Sequence, residues 1–141
     1  MFDAETIARL ARDLESQQVE RKQSLSDKSK IEQAICAFAN DLWNLNGGYI
    51  IIGVEERDGR PVLPPRGLAE DLDRIQRNIF ERCRHSLLPA YLPLIAHEDS
   101  DGHPLLVLWC PGGDNRPYQL SEKKGSPCYY VRQGAVTSEA K

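Results

Sequence analysis

The spacing of apolar positions changes several times along the chain, and each change predicts a new element. Between residues 3 and 15, apolar side chains recur every three or four positions, which predicts an amphipathic helix. The next stretch, QQVERKQSL, is short and extended in character, as expected of an edge strand. Ser26 and Asp27 are then placed to cap a second helix. The apolar face of that helix, expected in the core, comprises Ile31, Ala34, Ile35 and Phe38.

The stretch NLNGGYIIIGVEERDG, residues 44–59, contains a continuous apolar run bounded by turn residues. The run YIIIGV is rich in β-branched side chains, which predicts a strand that is covered on both faces and central in the sheet. Gly47 and Gly48 are expected to let the backbone leave the helix through positive φ angles. Gly53 is expected to mark a bulge or a close backbone approach. These interpretations explain the glycines without any ligand.

The second half of the chain predicts one more helix and three strands. Apolar residues at spacings of three and four give a helix that ends near Leu87 and Pro89. PLIAHEDS and HPLLVLWCP flank Asp101-Gly102, which favours a hairpin with a two-residue turn, and CYYVRQGAV is expected to form the last strand. The pattern as a whole predicts one α/β (α+β) domain over residues 1–141, with a mixed β-sheet packed against about three helices.

Composition and charge narrow the classes of function. The 141 residues, 40% of them hydrophobic, suffice for one domain with a core but not for two. With 18 basic and 21 acidic residues, any nucleic-acid surface must be a local patch. The four cysteines form no CxxC pair and the histidines have no ligand spacing, so no structural metal is predicted. No apolar run approaches ~20 residues, so we expect a soluble cytoplasmic protein without membrane contact.

Acidic residues near two predicted strands are the first candidates for chemistry. Glu15 and Glu20 bracket the start of the first strand, and Lys22 shares a strand face with Glu20. Glu55 and Glu56 end the central strand. If the two strands are neighbours, up to three carboxylates meet at one sheet end, a set of oxygen ligands that suits Mg²⁺ or Mn²⁺ and supports phosphodiester cleavage. The alternative is solvated surface charge, and spacing alone does not decide between them.

The loop PGGDNRPY, residues 111–118, is the second candidate. Its glycines and Asn115 suit a tight loop whose amides could meet a phosphate, and Arg116 could pair with one bidentately. The alternative is a rigid turn in which Asp114 bonds backbone amides and Tyr118 packs. The chain has no GxxxxGK[ST] motif, so this loop is not a P-loop.

Arg132, which follows Tyr129 and Tyr130 in YYVRQG, is the third candidate. A basic residue that alternates with aromatics on an exposed strand could stack bases and contact phosphates. The alternative is that these aromatics belong to the core. The cysteines are expected to be small core hydrophobes.

Taken in order, these segments resemble the Schlafen AlbA-like DNA-binding domain, in the version found in RecG-helicase-related bacterial proteins also called transcriptional regulators. The segments that carry the resemblance are LESQQVERKQSL, IEQAICAFAND, NGGYIIIGVEERDG, DLDRIQRNIFERC, LWCPGGDNRPY and YYVRQGAVT. The resemblance implies a fold related to the AlbA chromatin protein, DNA or RNA as partner, and no required cofactor. The residues then expected to contact nucleic acid are Lys22, Arg116, Arg132, Asn115 and Tyr118.

The resemblance also implies a longer protein and leaves two further functions open. In the family this module is followed by an ATPase-like or winged-helix region, so we expect an N-terminal fragment without helicase activity. Some Schlafens with this core are endoribonucleases that use two glutamates five residues apart and a third acid after the glycine-rich strand. Glu15 and Glu20 match that spacing, and Glu55 or Glu56 occupies the third position. The other open function is a regulatory or assembly domain, with a possible homodimer.

Overall fold

The computed structural model describes residues 18–24, 28–58, 60–100, 102–121, 127–134 and 136–140. Within these ranges the fold is α+β with a mixed sheet, as predicted. The helices are α1 (Lys28–Asn40) and α2 (Leu72–Ser86). The strands are β1 (Val19–Lys22), β2 (Gly48–Ile52), β3 (Glu56–Arg57), β4 (Arg60–Pro61), β5 (Leu87–Leu88), β6 (Leu94–Ser100), β7 (His103–Cys110), β8 (Gln119–Leu120), β9 (Tyr130–Gln133) and β10 (Val136–Glu139). The predicted helix over residues 3–15 and the predicted caps Ser26 and Asp27 lie outside the described residues.

The main sheet has four strands in the order β1-β2-β7-β6. Strand β1 runs parallel to β2, with Glu20 beside Ile50, whereas the other two pairings are antiparallel. The sheet is therefore mixed, with β1 at one edge and β2 inside, as the sequence predicts. The described residues also form three two-stranded sheets, β3–β4, β5–β8 and β9–β10.

Strand β2 is buried on both of its faces. Ile50 and Ile52 join the larger apolar cluster, which the two helices cover, while Ile51 joins a second cluster on the opposite face. All three isoleucine side chains are fully buried. Two buried faces leave no position on the strand for a polar residue, which explains the continuous apolar run.

The two glycines at the start of β2 are required for different reasons. Gly47 has a φ of 75°, and a Cβ there would lie 1.8 Å from the carbonyl oxygen of Cys110. Gly48 is not among the residues with positive φ, so that part of the prediction is wrong. A Cβ at Gly48 would lie 2.4 Å from the ring of Phe38, so its small size makes room for the helix side chain. Gly53 has a φ of 115°, and a Cβ there would lie 2.8 Å from the Leu105 side chain and 3.3 Å from the carbonyl oxygen of Pro104, in agreement with the predicted close approach.

The helix over Leu72–Ser86 and the β6–β7 hairpin are confirmed. Asp71 caps the helix by accepting a hydrogen bond from the amide of Asp73 at 3.0 Å. The predicted last strand is instead the hairpin β9–β10, because Gly134, with a φ of 61°, allows the chain to turn back. Neither of the described helices is long and apolar enough to cross a membrane.

Asn40, the last residue of α1, joins three segments that are distant in the sequence. Its Nδ2 donates to the carbonyl oxygens of Tyr118 and Tyr130 at 3.0 and 2.9 Å. Its Oδ1 accepts from the amide of Tyr118 at 2.6 Å. One amide side chain thus fixes the chain before β8 and the start of β9 against the end of α1.

Replacing Asn40 by alanine is expected to lower the free energy of unfolding by about 2–3 kcal/mol, because three backbone groups lose their partner. Urea denaturation followed by circular dichroism measures the change. The matched control is Asn78→Ala on α2, which is expected to change stability by less than about 1 kcal/mol. Equal losses in the two variants would contradict this role for Asn40.

The cysteines are core residues, as predicted. Cys36, Cys83 and Cys110 are buried, and Cys128 is partly buried. Burial raises the pKa of Cys36 to about 11 and that of Cys83 to about 12, because a thiolate loses its hydration inside the protein. Glu32 adds to the shift at Cys83 by repelling the thiolate.

Stability is expected to fall as pH rises from about 9 toward 12, because the unfolded chain releases the Cys83 proton first while the folded state retains it. Below pH 9 the Cys83 thiol is protonated in both the folded and the unfolded state, so its contribution to the free energy of unfolding is fully present. The slope from this one thiol is at most about 1.4 kcal/mol per pH unit. Across this pH range, the urea midpoint of Cys83→Ala is expected to decline less steeply than that of the wild type. The midpoint of Cys128→Ala is expected to decline as steeply as that of the wild type. A decline in Cys83→Ala as steep as in the wild type would contradict the raised pKa of Cys83.

Candidate functional site

A buried ion pair joins the edge strand β1 to the hairpin β9–β10. Arg132 is 4% exposed, and its Nη1 donates to the carboxylate of Glu20, which is also buried. The same guanidinium donates to Thr137 Oγ1 at 3.2 Å and to the Val19 carbonyl oxygen at 2.9 Å. It also lies 5.2 Å from the centre of the Phe38 ring. These contacts replace much of the hydration that both charges lose on burial.

The expectation that Arg132 lies on an exposed strand is therefore wrong. Its guanidinium is committed to Glu20, Val19 and Thr137, so it is placed to position these groups and not to contact an external phosphate. The ring of Tyr130 is also buried, in agreement with the core alternative. Tyr129 differs, since 41% of its surface is exposed.

A polar cleft of about 330 Å³ opens beside this ion pair. The residues that line it are Glu20, Arg21, Lys22, Lys30, Gln33, Glu56, Val136 and Thr137. The second carboxylate oxygen of Glu20, Oε2, lies 3.3 Å from Lys22 Nζ. Glu20 therefore pairs with the buried Arg132 through one oxygen and with Lys22, at the cleft, through the other. Among the described residues that line the cleft, three cations, Arg21, Lys22 and Lys30, accompany two carboxylates, Glu20 and Glu56. These described lining residues therefore carry a net positive charge, although the chain as a whole carries −3.

The predicted acids divide between two places. Glu20 and Glu56 both border the polar cleft, where Glu56 Oε1 accepts from the buried Arg21 Nη1 at 3.4 Å. Glu55 instead pairs with Arg57 at 2.9 Å and with Arg66 at 3.7 Å. Each of these three predicted acids therefore has a cationic side chain as its partner.

No group of three or more His, Cys, Asp or Glu side chains within the described ranges is placed to hold a metal ion. Glu20, Glu55 and Glu56 alone do not form the three-carboxylate cluster that the sequence suggested. Glu15 lies outside the described residues. A site for Mg²⁺ or Mn²⁺ that includes Glu15, and the cleavage it would support, thus stays a prediction.

Arg116 stands at the opposite end of α1 from the polar cleft. Its Nη1 lies 3.2 Å from the carbonyl oxygen of Asp41, 3.5 Å from that of Asn40 and 3.3 Å from Asn44 Oδ1. A cation at this position also interacts favourably with the negative end of the helix dipole. The side chain remains 41% exposed. Arg116 therefore has a structural role and is also exposed enough to contact a phosphate.

The loop around Asn115 is a rigid turn built on Tyr118. Tyr118 is buried, as the packing alternative predicts, and its hydroxyl accepts from the amide of Asn115 at 3.1 Å. A Cβ at Gly113 would lie 2.2 Å from that hydroxyl. Asp114 is exposed, whereas the carboxylate of Asp41 accepts from the amides of Leu45 and Asn46 in the turn after α1. Tyr118 thus packs beneath the loop. Its burial favours this packing role over the expected direct contact with nucleic acid.

The sequence pattern did not predict an apolar groove of about 400 Å³ that lies beside Arg116. The residues that line it are Asn40, Leu42, Arg116, Pro117, Tyr129, Val131 and Ala140. Leu42 is exposed, and so are Trp43 and Leu45 in the same turn. Three large apolar side chains in the polar turn DLWNLN are the signal that could have revealed this surface.

The geometry is that of an α+β domain with a polar cleft and an apolar groove along one helix, and comparison with known proteins places it in a family. Residues 15–141 match the family model described as Schlafen, AlbA_2. The chain therefore belongs to this family, as the resemblance of its segments indicated. No sequence among the curated proteins matches it.

The solved structures that share the fold include two proteins. The first is the N-terminal domain of a RecG-related protein from Nitrosomonas europaea, whose name includes ATP-dependent DNA helicase. It is 30% identical, with a TM-score of 0.69 over 100% of this chain and 93% of that one. The second is the DIP2311 protein from Corynebacterium diphtheriae, 16% identical with a TM-score of 0.62. It matches over 96% of this chain, which spans 29% of that longer one, and this likeness concerns the fold alone.

Replacing Arg132 by methionine is expected to lower the free energy of unfolding by about 3 kcal/mol, because Glu20 then loses its buried partner. The matched control is Arg57→Met, which breaks the exposed pair with Glu55 and should cost less than about 1 kcal/mol. The double variant Glu20→Leu/Arg132→Met should recover part of the loss, since neither buried charge remains. Urea titrations measure all three, and an Arg132→Met loss as small as that of Arg57→Met would contradict the role of the pair.

Proposed function

We propose that this domain binds DNA or RNA by its phosphates at the polar cleft. The observation that carries the proposal is the local excess of cations around Lys22 and Lys30 in an otherwise acidic chain. A patch of this kind is what an acidic domain needs to attract a polyanion. The family supports the proposal, and so does the DNA helicase in the name of the Nitrosomonas protein.

Lys22 is the residue best prepared for a phosphate. Its ammonium group is held beside Glu20, which is itself held by Arg132, so the charge is positioned before a ligand arrives. An ammonium group has three N–H donors, and the pair with Glu20 leaves it able to accept a second anionic partner. Lys30 and Gln33 reach the same cleft from α1. Each phosphate that these groups neutralise releases counterions, so binding weakens as salt rises.

Arg116 provides a second contact, together with the loop of Asn115. Lys30 and Asn40 are ten residues apart on α1, which separates the cleft from the Arg116 end by about 15 Å. A bound strand would therefore have to follow the helix to meet both. The proposal concerns binding alone, since the chain has no GxxxxGK[ST] loop to hold the phosphates of ATP.

The double variant Lys22→Gln/Lys30→Gln tests the proposal, because it removes two positive charges from the cleft and leaves Arg132 in place. Fluorescence anisotropy with labelled DNA and RNA oligonucleotides gives the dissociation constant at several salt concentrations. The slope of log affinity against log salt is expected to decrease by roughly 1 to 2, with weaker binding to every sequence.

The matched control is Arg57→Gln/Arg84→Gln, which removes two exposed cations outside the cleft and should leave the slope unchanged. Undetectable binding by the wild-type domain at low salt would overturn the proposed function. Equal slopes for the cleft variant and the wild type would overturn the assignment of Lys22 and Lys30.

A further inference from the structure

The apolar groove is not explained by phosphate binding. Leu42, Pro117 and Val131 give it apolar walls, and Tyr129 lines it with a ring that is 41% exposed. Arg116 is the only charged side chain among the described residues that line it. The groove therefore combines an aromatic ring, an aliphatic surface and one cation.

The groove and the polar cleft lie along the same two elements. The cleft is lined by Lys30 and Gln33 of α1, and the groove by Asn40 at the end of that helix. Spacings of three and seven residues place these positions on one face of the helix. The β9–β10 hairpin packs along α1, with Thr137 at the cleft and Tyr129, just before β9, at the groove. A strand bound at the cleft thus has the groove ahead of it along the same helix.

We propose that the groove accepts an unpaired base of a single-stranded nucleic acid whose backbone lies in the polar cleft. This inference rests on the proposed function and names the form of nucleic acid bound. The base stacks on Tyr129, and Arg116 contacts the adjoining phosphate. Stacking on an aromatic ring is available to every base and requires no sequence preference. A base within a duplex is already stacked between its neighbours, so it cannot enter the groove without being extruded.

The charge of the groove favours a nucleotide over a second copy of the chain. In a symmetric dimer built on this surface, the same patch would face itself and bring the Arg116 side chains of both copies into one interface. Like charges in a desolvated interface oppose association. A nucleotide instead offers an apolar face to Tyr129 and an anion to Arg116.

Trp43 provides an optical reporter for this surface. It is 57% exposed and follows Leu42 of the groove directly in the same turn. The chain has two tryptophans, and the other, Trp109, stacks on Tyr49 in the main sheet. In a Trp109→Phe background all tryptophan emission comes from Trp43. Its emission is expected to change when a single strand is added.

The deciding experiment compares a labelled thymidine 12-mer, alone and paired with its complement, on wild type, Tyr129→Ala and Tyr129→Phe. The wild type is expected to bind the single strand more tightly than the duplex. Tyr129→Ala should weaken single-strand binding by about tenfold with an unchanged salt slope, because a ring and not a charge is lost. Tyr129→Phe retains the ring and should bind as the wild type does. The matched control, Leu94→Ala, removes an exposed apolar side chain from the far edge strand and should have no effect.

The outcomes separate this inference from the proposed function. If duplex and single strand bind equally and Tyr129→Ala weakens neither, the base site is wrong while the phosphate cleft stands. If the wild type binds neither form at low salt, both proposals fail. If sedimentation shows a dimer that Tyr129→Ala dissociates without a change in oligonucleotide affinity, the groove is an interface between copies and the inference is overturned. Urea midpoints verify that Tyr129→Ala is folded.

Discussion

The buried pair of Glu20 and Arg132 is the interaction on which the functional surface depends. Taking two charges out of water costs free energy that hydrogen bonds must offset, and the guanidinium of Arg132 donates to Val19 and Thr137 as well as to Glu20. The pair fixes the β9–β10 hairpin against β1, which places Thr137 at the polar cleft. It also leaves one oxygen of Glu20 to hold Lys22. The cleft would lose both its wall and its best-placed cation without this pair.

The elements that could be predicted from the sequence are those whose signal is local. Strand β2 was recognisable because burial on both faces requires a continuous apolar run, and Ile51 satisfies the second face as Ile50 satisfies the first. The helix over Leu72–Ser86 was recognisable because one apolar stripe at helical spacing faces the core. In both cases the environment of each side chain follows from its neighbours in sequence.

The site was harder to predict because its interactions join distant parts of the chain. Arg132 is separated from Glu20 by 112 residues, so the segment YYVRQG has the pattern of an exposed basic strand until its partner is known. Asn40 meets carbonyl groups 78 and 90 residues away. The apolar groove likewise forms only when the turn after α1 meets Pro117 and Tyr129. A single sequence carries no information on which residues pair across such separations.

The charges at the end of the sheet also explain why acidic residues in sequence are weak evidence for a metal. Carboxylates that converge without cations repel one another and favour a divalent ion, whereas carboxylates already paired with arginine or lysine have no excess charge to offer one. Glu56 is held by Arg21 and Glu20 by Arg132 and Lys22. In this arrangement the acids orient the cations and keep them at the cleft. Among the described residues of the cleft cations outnumber acids, which suits an anion, and this balance of charge is the physical basis for proposing phosphate as the ligand.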